Sequence, residues 1–265
     1  MISGLILYSE IDIERNQWFI DKCLGELNNE LFSLMLVNEN NVLDIISKQK
    51  IDFIINRSRN YQLIAQLEKM GIVCFNGSFT NEIANNKSKS FSLFKENNIV
   101  CIESFDSIDK ISEYPFVMKS IDGHGGQEVY LIRHEKEAKE ILKMSHKKYI
   151  YQKYVENSGD LRIYVLGEKV VGAVLRQNIH DFRSNYSLGG SIIKYEPSDT
   201  LKEISVRISK LLKADFIGVD FLITKQGFLA NEIEDPVGSR MLYQTSDIDV
   251  ISDFISLIKA KMISK

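Results

Sequence analysis

The segment "GVDFLITKQGFLANEIEDP" carries three carboxylates in a strand-like setting. Asp220 lies in one apolar run, and Glu232 and Glu234 stand two apart in the next. Side chains at i and i+2 of a strand share a face, so both glutamates point the same way. The "KQG" turn between the runs predicts a hairpin that sets Asp220 beside them. Three converging carboxylates repel one another and raise one another's pKa. A divalent cation removes that penalty, and an oxygen-only donor set suits Mg²⁺ or Mn²⁺. The alternative is an exposed acidic strand face. The apolar flanks Val219, Phe221 and Ile233 argue for a partly enclosed sheet, and so for metal.

A second constellation is "PFVMKSIDGHGGQEVYLI", a hairpin with Lys119 in its first strand and Gly123, Gly125 and Gly126 in its loop. Glycine permits positive φ and close approach of backbone to a ligand, and successive N–H groups form an anion-binding nest. Lys119 adds a full charge beside it, a combination suited to phosphate. The P-loop order is absent, since the lysine precedes the glycines and a strand follows. Taken alone, such a hairpin is more often a mobile turn. In "QNIHDFRSNYSLGGS", Arg176 precedes a polar loop that holds Arg183, Ser184 and Asn185. Phosphoryl transfer needs cations and amide donors around developing charge; solvated loop residues are the alternative. In "YQKYVENSGDLRIYVL" a strand runs through a turn into another strand. The backbone from Lys153 to Val155 offers hydrogen bonds to a base, and Asp160 an acceptor for a ribose hydroxyl, though residue chemistry alone does not single this stretch out.

The elements that position these groups fall into two styles. Over the first 80 residues, strands at Leu5–Tyr8, Leu31–Val37, Asp52–Ser58 and Ile72–Asn76 alternate with helical spacing over 12–27, in "NVLDIISKQK" and over 61–70, the last ending at Gly71. That alternation predicts a small parallel sheet with helices on both faces. No G-x-G-x-x-G follows the first strand, which argues against NAD. Arg57, in "INRSRNY", sits where a parallel sheet lines a cleft; a surface arginine is the equal alternative. Residues 80–97 predict one helix with Thr80 as N-cap. Strands at 149–155, "LRIYVL", 170–177, "FIGVDFLIT" and "FLANEIE" and helices over 134–144, 200–213 and 247–260 then give a largely antiparallel half. The fold class is α/β, α+β in the C-terminal half, with lobes expected over 1–80, 81–150 and 151–265.

Composition narrows the partners. The chain is 44% hydrophobic and 26% charged with net charge −3, which argues against a general nucleic-acid or membrane-surface binder. No apolar run reaches the roughly 20 residues of a membrane helix. The N-terminus reads as a strand and not a signal peptide. Three dispersed cysteines in apolar settings indicate buried thiols in a reducing cytoplasm. The four histidines are too scattered for a zinc site.

The pieces in their order resemble the ATP-grasp superfamily, most closely the RimK-like carboxylate–amine ligases. The resemblance runs from "INRSRNY" through "NNKSKSFSLFKENNI", the glycine hairpin, the "YQKYVENSGD" turn and "DFRSN" to "NEIEDPVGSR", nearly the whole chain. It implies an ATP-grasp fold behind a Rossmann-like lobe. It implies that Lys87 and Lys119 contact nucleotide phosphates under a lid formed by Gly123, Gly125 and Gly126. Gln152, Lys153, Tyr154 and Val155 match the adenine hinge, Asp160 the ribose ligand, and Arg183, Ser184 and Asn185 a nucleotide-binding loop. Arg176 matches an arginine at the transferred phosphoryl group, and Asp220, Glu232 and Glu234 the metal ligands. Two departures stand out. Lys153 replaces the family's hinge glutamate, and Glu234 replaces its last-ligand asparagine. Arg240, in the divergent "DPVGSRMLY", is a candidate for a substrate carboxylate.

What the resemblance implies is a cytoplasmic, ATP- and Mg²⁺-dependent (or Mn²⁺-dependent) ligase. It takes a carboxylate and an amine, an amino acid, peptide or protein tail, through an acyl phosphate, releasing ADP and phosphate. Neither nucleic acid nor membrane is a partner, and a homo-oligomer is compatible. The alternatives are a small-molecule kinase on the same scaffold or a non-catalytic ATP-binding regulator.

Overall fold

The computed structural model describes residues 1–126, 128–178 and 190–264. Strands β1 (Ile2–Tyr8), β2 (Phe32–Asn38), β3 (Phe53–Asn56) and β4 (Val73–Phe75) form a parallel sheet in the order β2-β1-β3-β4. Parallel neighbours need crossovers. Here α1 (Glu10–Arg15) and α2 (Gln17–Leu27), then α3 (Val42–Lys48), then α4 (Tyr61–Lys69) supply them. The run "LILY" of β1 is buried at every position, as a strand covered on both faces must be. The helix expected over 12–27 is instead two helices meeting at Asn16, whose side-chain amide donates to the Asp12 carbonyl. Gly71 ends α4 at φ +86°, a left-handed conformation natural to glycine.

The single helix expected over 80–97 is also two, α5 (Ser78–Ala84) and α6 (Lys87–Glu96). Consecutive asparagines compete with helical backbone for hydrogen bonds. Asn86 leaves the helix and caps α6 by accepting from the Lys89 N–H. Thr80 is therefore not an N-cap. It lies inside α5, buried, with its hydroxyl donating to the Leu212 carbonyl.

A second sheet follows, antiparallel, from β5 (Ser104–Phe105), β6 (Phe116–Ser120), β7 (Val129–Ile132) and β8 (Tyr149–Lys153) in the order β5-β8-β6-β7. Helix α7 (Glu135–Met144) buries Ala138 against it. The second sheet ends at Lys153. That third sheet holds β9 (Gly159–Leu166), β10 (Lys169–Gln177), β11 (Ser191–Lys194), β12 (Phe216–Thr224) and β13 (Gly227–Glu234), ordered β11-β10-β9-β12-β13 and antiparallel throughout. Helix α8 (Asp199–Leu212) covers one face, with Ile208 and Leu212 in one core with Ile163, Val165 and Ile217. On the other side α9 (Arg240–Thr245) and α10 (Val250–Ile263) share a core with Tyr164, Phe216 and the aromatic side chains Phe53 and Phe75 of the parallel sheet. The short elements β5, β11 and α9 carry too little periodicity to stand out in the sequence.

A buried amide–carboxylate network locks the first sheet to the third. The Asn76 amide donates to Asp235 Oδ1 and to the Phe216 carbonyl, both at 2.8 Å, while its oxygen accepts from the Asp215 and Phe216 N–H groups. Asn81 donates to Asp235 Oδ2 at 2.8 Å and to the Ser58 carbonyl at 3.0 Å. Burial pushes the Asp235 carboxyl above its usual range, against the hydrogen bonds from Asn76 and Asn81 that favour the ionised form. Asn76→Ala strands a buried carboxylate oxygen and two backbone donors. It is expected to lower stability by about 2–4 kcal/mol in urea unfolding; a loss below about 0.5 kcal/mol would show that the network holds nothing together.

Candidate active site

The central and C-terminal sheets face each other across a cleft of about 890 Å³, its open mouth included. Lys119 projects from β6 almost fully buried. Its Nζ donates to Asn231 Oδ1 at 2.9 Å and pairs with Glu232 Oε1 at 3.1 Å, so one side chain ties β6 to β13. Lys87, the first residue of α6, donates from Nζ to the Gly123 carbonyl. It thereby fixes the loop that follows β6, where Gly125 and Gly126 sit at φ +65° and +74°. Side chains with a Cβ rarely adopt such angles. Gln152, Lys153, Tyr154 and Val155 line the cleft along its far side. The Lys153 N–H already donates to the Glu103 carbonyl at 3.0 Å, so of the main-chain groups expected to serve a base this donor is occupied.

The floor of the cleft is a buried charge cluster. Asp160 and Arg162 stand two apart on β9 and so share a face, with Leu161, Ile163 and Val165 turned to the α8 core. Antiparallel register sets Asp220 opposite Arg162 on one side and Glu232 on the other. Arg162 grips Asp220 with a bidentate pair of bonds at 2.7 and 2.6 Å, and also reaches Glu234 Oε1 at 2.5 Å. Arg176 from β10 bonds Asp220 Oδ2 at 2.6 Å and Asp160 Oδ2 at 2.8 Å. Two buried atoms of this cluster, Asp160 Oδ1 and Arg176 Nε, have no hydrogen-bond partner.

This geometry reverses the net electrostatics expected of Asp220 and Glu232: Glu232 still pushes Asp220 up, but the neighbouring cations outweigh it. Burial works to raise Asp220, but Arg162 and Arg176 together hold it below the usual carboxylate range. Burial likewise opposes Glu232, and Lys119 with Lys87 brings it down to about 2. Asp160 goes the other way: burial lifts it, and Arg176 offsets only part of the rise.

A second cavity opens beside the first and shares Arg176, His124 and Glu234 with it. Arg57, Arg59 and Arg240 line it as well. Arg57 is buried, donates to the Val237 carbonyl at 2.8 Å and to the Tyr8 hydroxyl at 3.3 Å, and stacks on the Phe19 ring. It is no loose surface arginine but a fixed wall of this cavity. Arg240 begins α9 and donates to the Arg15 carbonyl.

Comparison with known proteins decides the family: residues 84–258 match the RimK-like ATP-grasp domain. The chain belongs to the RimK-like ATP-grasp family. It is similar to an uncharacterized MG011 homolog of Mycoplasma pneumoniae, 28% identical over 90% of this chain and 86% of that one. It is also similar to a probable alpha-L-glutamate ligase of Mannheimia succiniciproducens, 29% identical over 76% of this chain and 72% of that one. A crystal structure of D-alanine–D-alanine ligase from Bacillus anthracis shares the fold, with TM-score 0.78 at 15% identity over 100% of this chain and 98% of the other.

Of the residues expected from the ATP-grasp resemblance, Lys87, Lys119, Gly123, Gly125, Gly126, Gln152 to Val155, Asp160, Arg176, Asp220, Glu232 and Glu234 line one cleft. Arg240 lines the neighbouring cavity instead. Arg183, Ser184 and Asn185 lie outside the described residues. Arg162, the hub of the charge cluster, escaped the sequence reading. Its signal was a lone arginine in the apolar run "LRIYVL", two positions from Asp160. His124 and Arg59, which line the second cavity, were also passed over.

Among the described residues no group of three or more His, Cys, Asp or Glu side chains is arranged to hold a metal ion. Both Asp220 oxygens are engaged by guanidinium groups. Glu232 and Glu234 each form their ion pair through Oε1, and both line the cleft. The donor type at Glu232 and Glu234 suits a hard divalent cation, whereas both oxygens of Asp220 are already taken by its arginines.

The Glu232–Lys119 pair carries a pH signature. The folded carboxyl at about 2 lies below its ordinary 4.5, so the folded protein stays ionised where the unfolded chain binds a proton. Stability from this group is complete above about pH 4.5 and is lost as pH falls toward 2. Lys119→Met is expected to flatten the acid limb of stability in urea titrations over that window. An acid limb of unchanged slope would mean that Lys119 does not hold Glu232 ionised.

Proposed function

We propose that this chain uses ATP to join a carboxylate to an amine through an acyl phosphate, releasing ADP and phosphate. The observation that carries the reading is the cleft in which Lys87, Lys119, the Gly123–Gly126 loop and the arginine–carboxylate floor converge. Membership of the ATP-grasp family supports the same reading. Lys87 and Lys119 bind the phosphates. Gln152 to Val155 hold the base, and the unpartnered Asp160 Oδ1 accepts from the ribose. Arg183, Ser184 and Asn185 belong to the same nucleotide site by resemblance. Arg176 spreads positive charge over the phosphoryl group in transfer. A divalent cation, Mg²⁺ or Mn²⁺, held by Glu232 and Glu234 with Asp220, supplies charge neutralisation when bound.

The second cavity receives the carboxylate and amine substrates, with Arg240 and Arg59 facing their negative groups. It joins the nucleotide cleft at Arg176, so a carboxylate placed there lies next to the phosphoryl group it attacks. Water hydrolyses acyl phosphates, and the Gly123–Gly126 loop over the cleft excludes it. The division into lobes over 1–80, 81–150 and 151–265 is part of this proposal, with the substrates between the first and third. L-Glutamate is the first substrate to try, because one relative is named a probable alpha-L-glutamate ligase.

Mass spectrometry after incubation with ATP, Mg²⁺ and pooled L-amino acids is expected to reveal a condensation product and ADP. Glu232→Ala should reduce turnover by about 100-fold or more with an unchanged far-UV dichroism spectrum, and Lys119→Ala should weaken nucleotide binding about 10-fold or more. Normal ADP release from Glu232→Ala removes the metal assignment. A phosphorylated product stable to added amines points to a kinase instead.

A further inference from the structure

An amine that attacks an acyl phosphate must arrive without its extra proton, because an ammonium nitrogen has no lone pair. The second cavity therefore needs a group that accepts a proton next to the phosphoryl site. Its lining is poor in such groups. Arg57, Arg59, Arg162, Arg176 and Arg240 are permanent cations. Asp12 is ion-paired with Arg59 at 2.8 Å, and Glu234 with Arg162. Burial pushes the Tyr8 phenol up, and its oxygen accepts from Arg57. Among the described lining residues one uncharged titratable base remains, the imidazole of His124, since the Asn16 amide is not basic.

Its placement suits the task. His124 lines both the nucleotide cleft and the second cavity, at their junction. It sits between Gly123, whose carbonyl is gripped by Lys87, and Gly125, whose left-handed φ of +65° turns the chain. Solvent still reaches it at the cleft mouth.

We propose that His124 is the general base of the amide-forming step, an inference that rests on the ligase reading above. One ammonium proton passes to the imidazole. The freed lone pair forms the C–N bond, and the C–O bond to the phosphoryl group breaks with its electron pair. Phosphate departs, taking up the second nitrogen proton. The charged groups that face His124 are Arg59 from the segment after β3, Lys87 from α6, Glu232 from β13 and Asp122 from its own loop. The cleft walls, reinforced by Arg59 and Lys87, hold the imidazole below its ordinary range, with Glu232 and Asp122 opposing, although the residue stays open to solvent on one side. Polyphosphate and substrate anions neutralise the same two cations, which restores the imidazole's proton affinity once the site is filled. The base is thus neutral throughout and gains strength only in the loaded complex.

Hydroxylamine separates this role from a structural one, since it is largely unprotonated near neutral pH and needs no base. The full-length protein is assayed with ATP, Mg²⁺ and L-glutamate, the wild type making glutamyl-glutamate alone and glutamyl hydroxamate when hydroxylamine is added. For His124→Gln the ratio of amide to hydroxamate is expected to fall about 100-fold. Its residual amide rate should climb with pH through the titration of the amine itself. If both products fall together, or the ratio is unchanged, His124 is not the base and only shapes the loop. If the wild type forms neither these products nor any condensation product with pooled L-amino acids, the ligase reading fails and takes this proposal with it.

Discussion

The arginine–carboxylate cluster on the floor of the cleft is the constraint around which the rest is arranged. Asp160, Arg162, Arg176 and Asp220 are all almost fully buried. Charges removed from water are tolerable only when geometry is close and lone pairs are met. That requirement dictates the strand order. Arg162 must lie opposite Asp220, so β9 must neighbour β12. Arg176 must reach both Asp160 and Asp220, so β10 must flank β9 on the other side. Arginine suits the role because its planar fork meets one carboxylate with two bonds and still spares an N–H for another. Arg162 does both, holding Asp220 in a bidentate pair while its Nη2 also serves Glu234.

The same electrostatics extend across the cleft. Lys119 comes from a different sheet and closes on Asn231 and Glu232. The carboxylates of the C-terminal sheet are therefore neutralised from two directions, by arginines from within the sheet and by a lysine from across it. This explains why the carboxyls of Asp220 and Glu232 lie low while that of Asp160, with one oxygen unpartnered, lies high.

Much of this was legible in the sequence, and the failures have physical causes. Apolar runs on either side of the "KQG" turn located β12 and β13, and the two-residue spacing predicted the shared face of Glu232 and Glu234, because a strand's side-chain direction depends on spacing alone. The parallel sheet followed from alternating elements. Charge pairing was not legible, since Arg162 and Asp220 are 58 residues apart and meet only through strand register. For the same reason the carboxylates looked like mutually repelling groups that needed an external cation. Helix continuity was misjudged at Asn16 and at Asn85–Asn86, where side-chain amides offer the backbone a rival partner that hydrophobic spacing does not reveal. Gln127 and residues 179–189 lie outside the description, and with them the nucleotide-loop assignment of Arg183, Ser184 and Asn185.

The parallel sheet shows how a familiar scaffold serves another purpose. Ligands of open parallel sheets gather at the carboxyl ends of the strands. Tyr8 ends β1 and Arg57 follows β3, and both line the second cavity. The sheet thus keeps the usual edge for binding although the glycine fingerprint for a dinucleotide is missing. What changes is the other wall. The amide network of Asn76 and Asn81 on Asp235 seats the sheet against β12 and the segment after β13, and Arg57 adds its bond to the Val237 carbonyl. Because Asp235 directly follows Glu234 in sequence, the contacts that dock the sheet also fix the end of the strand bearing the cleft's carboxylates. The two cavities are consequently held in one register, since one backbone segment forms part of both walls.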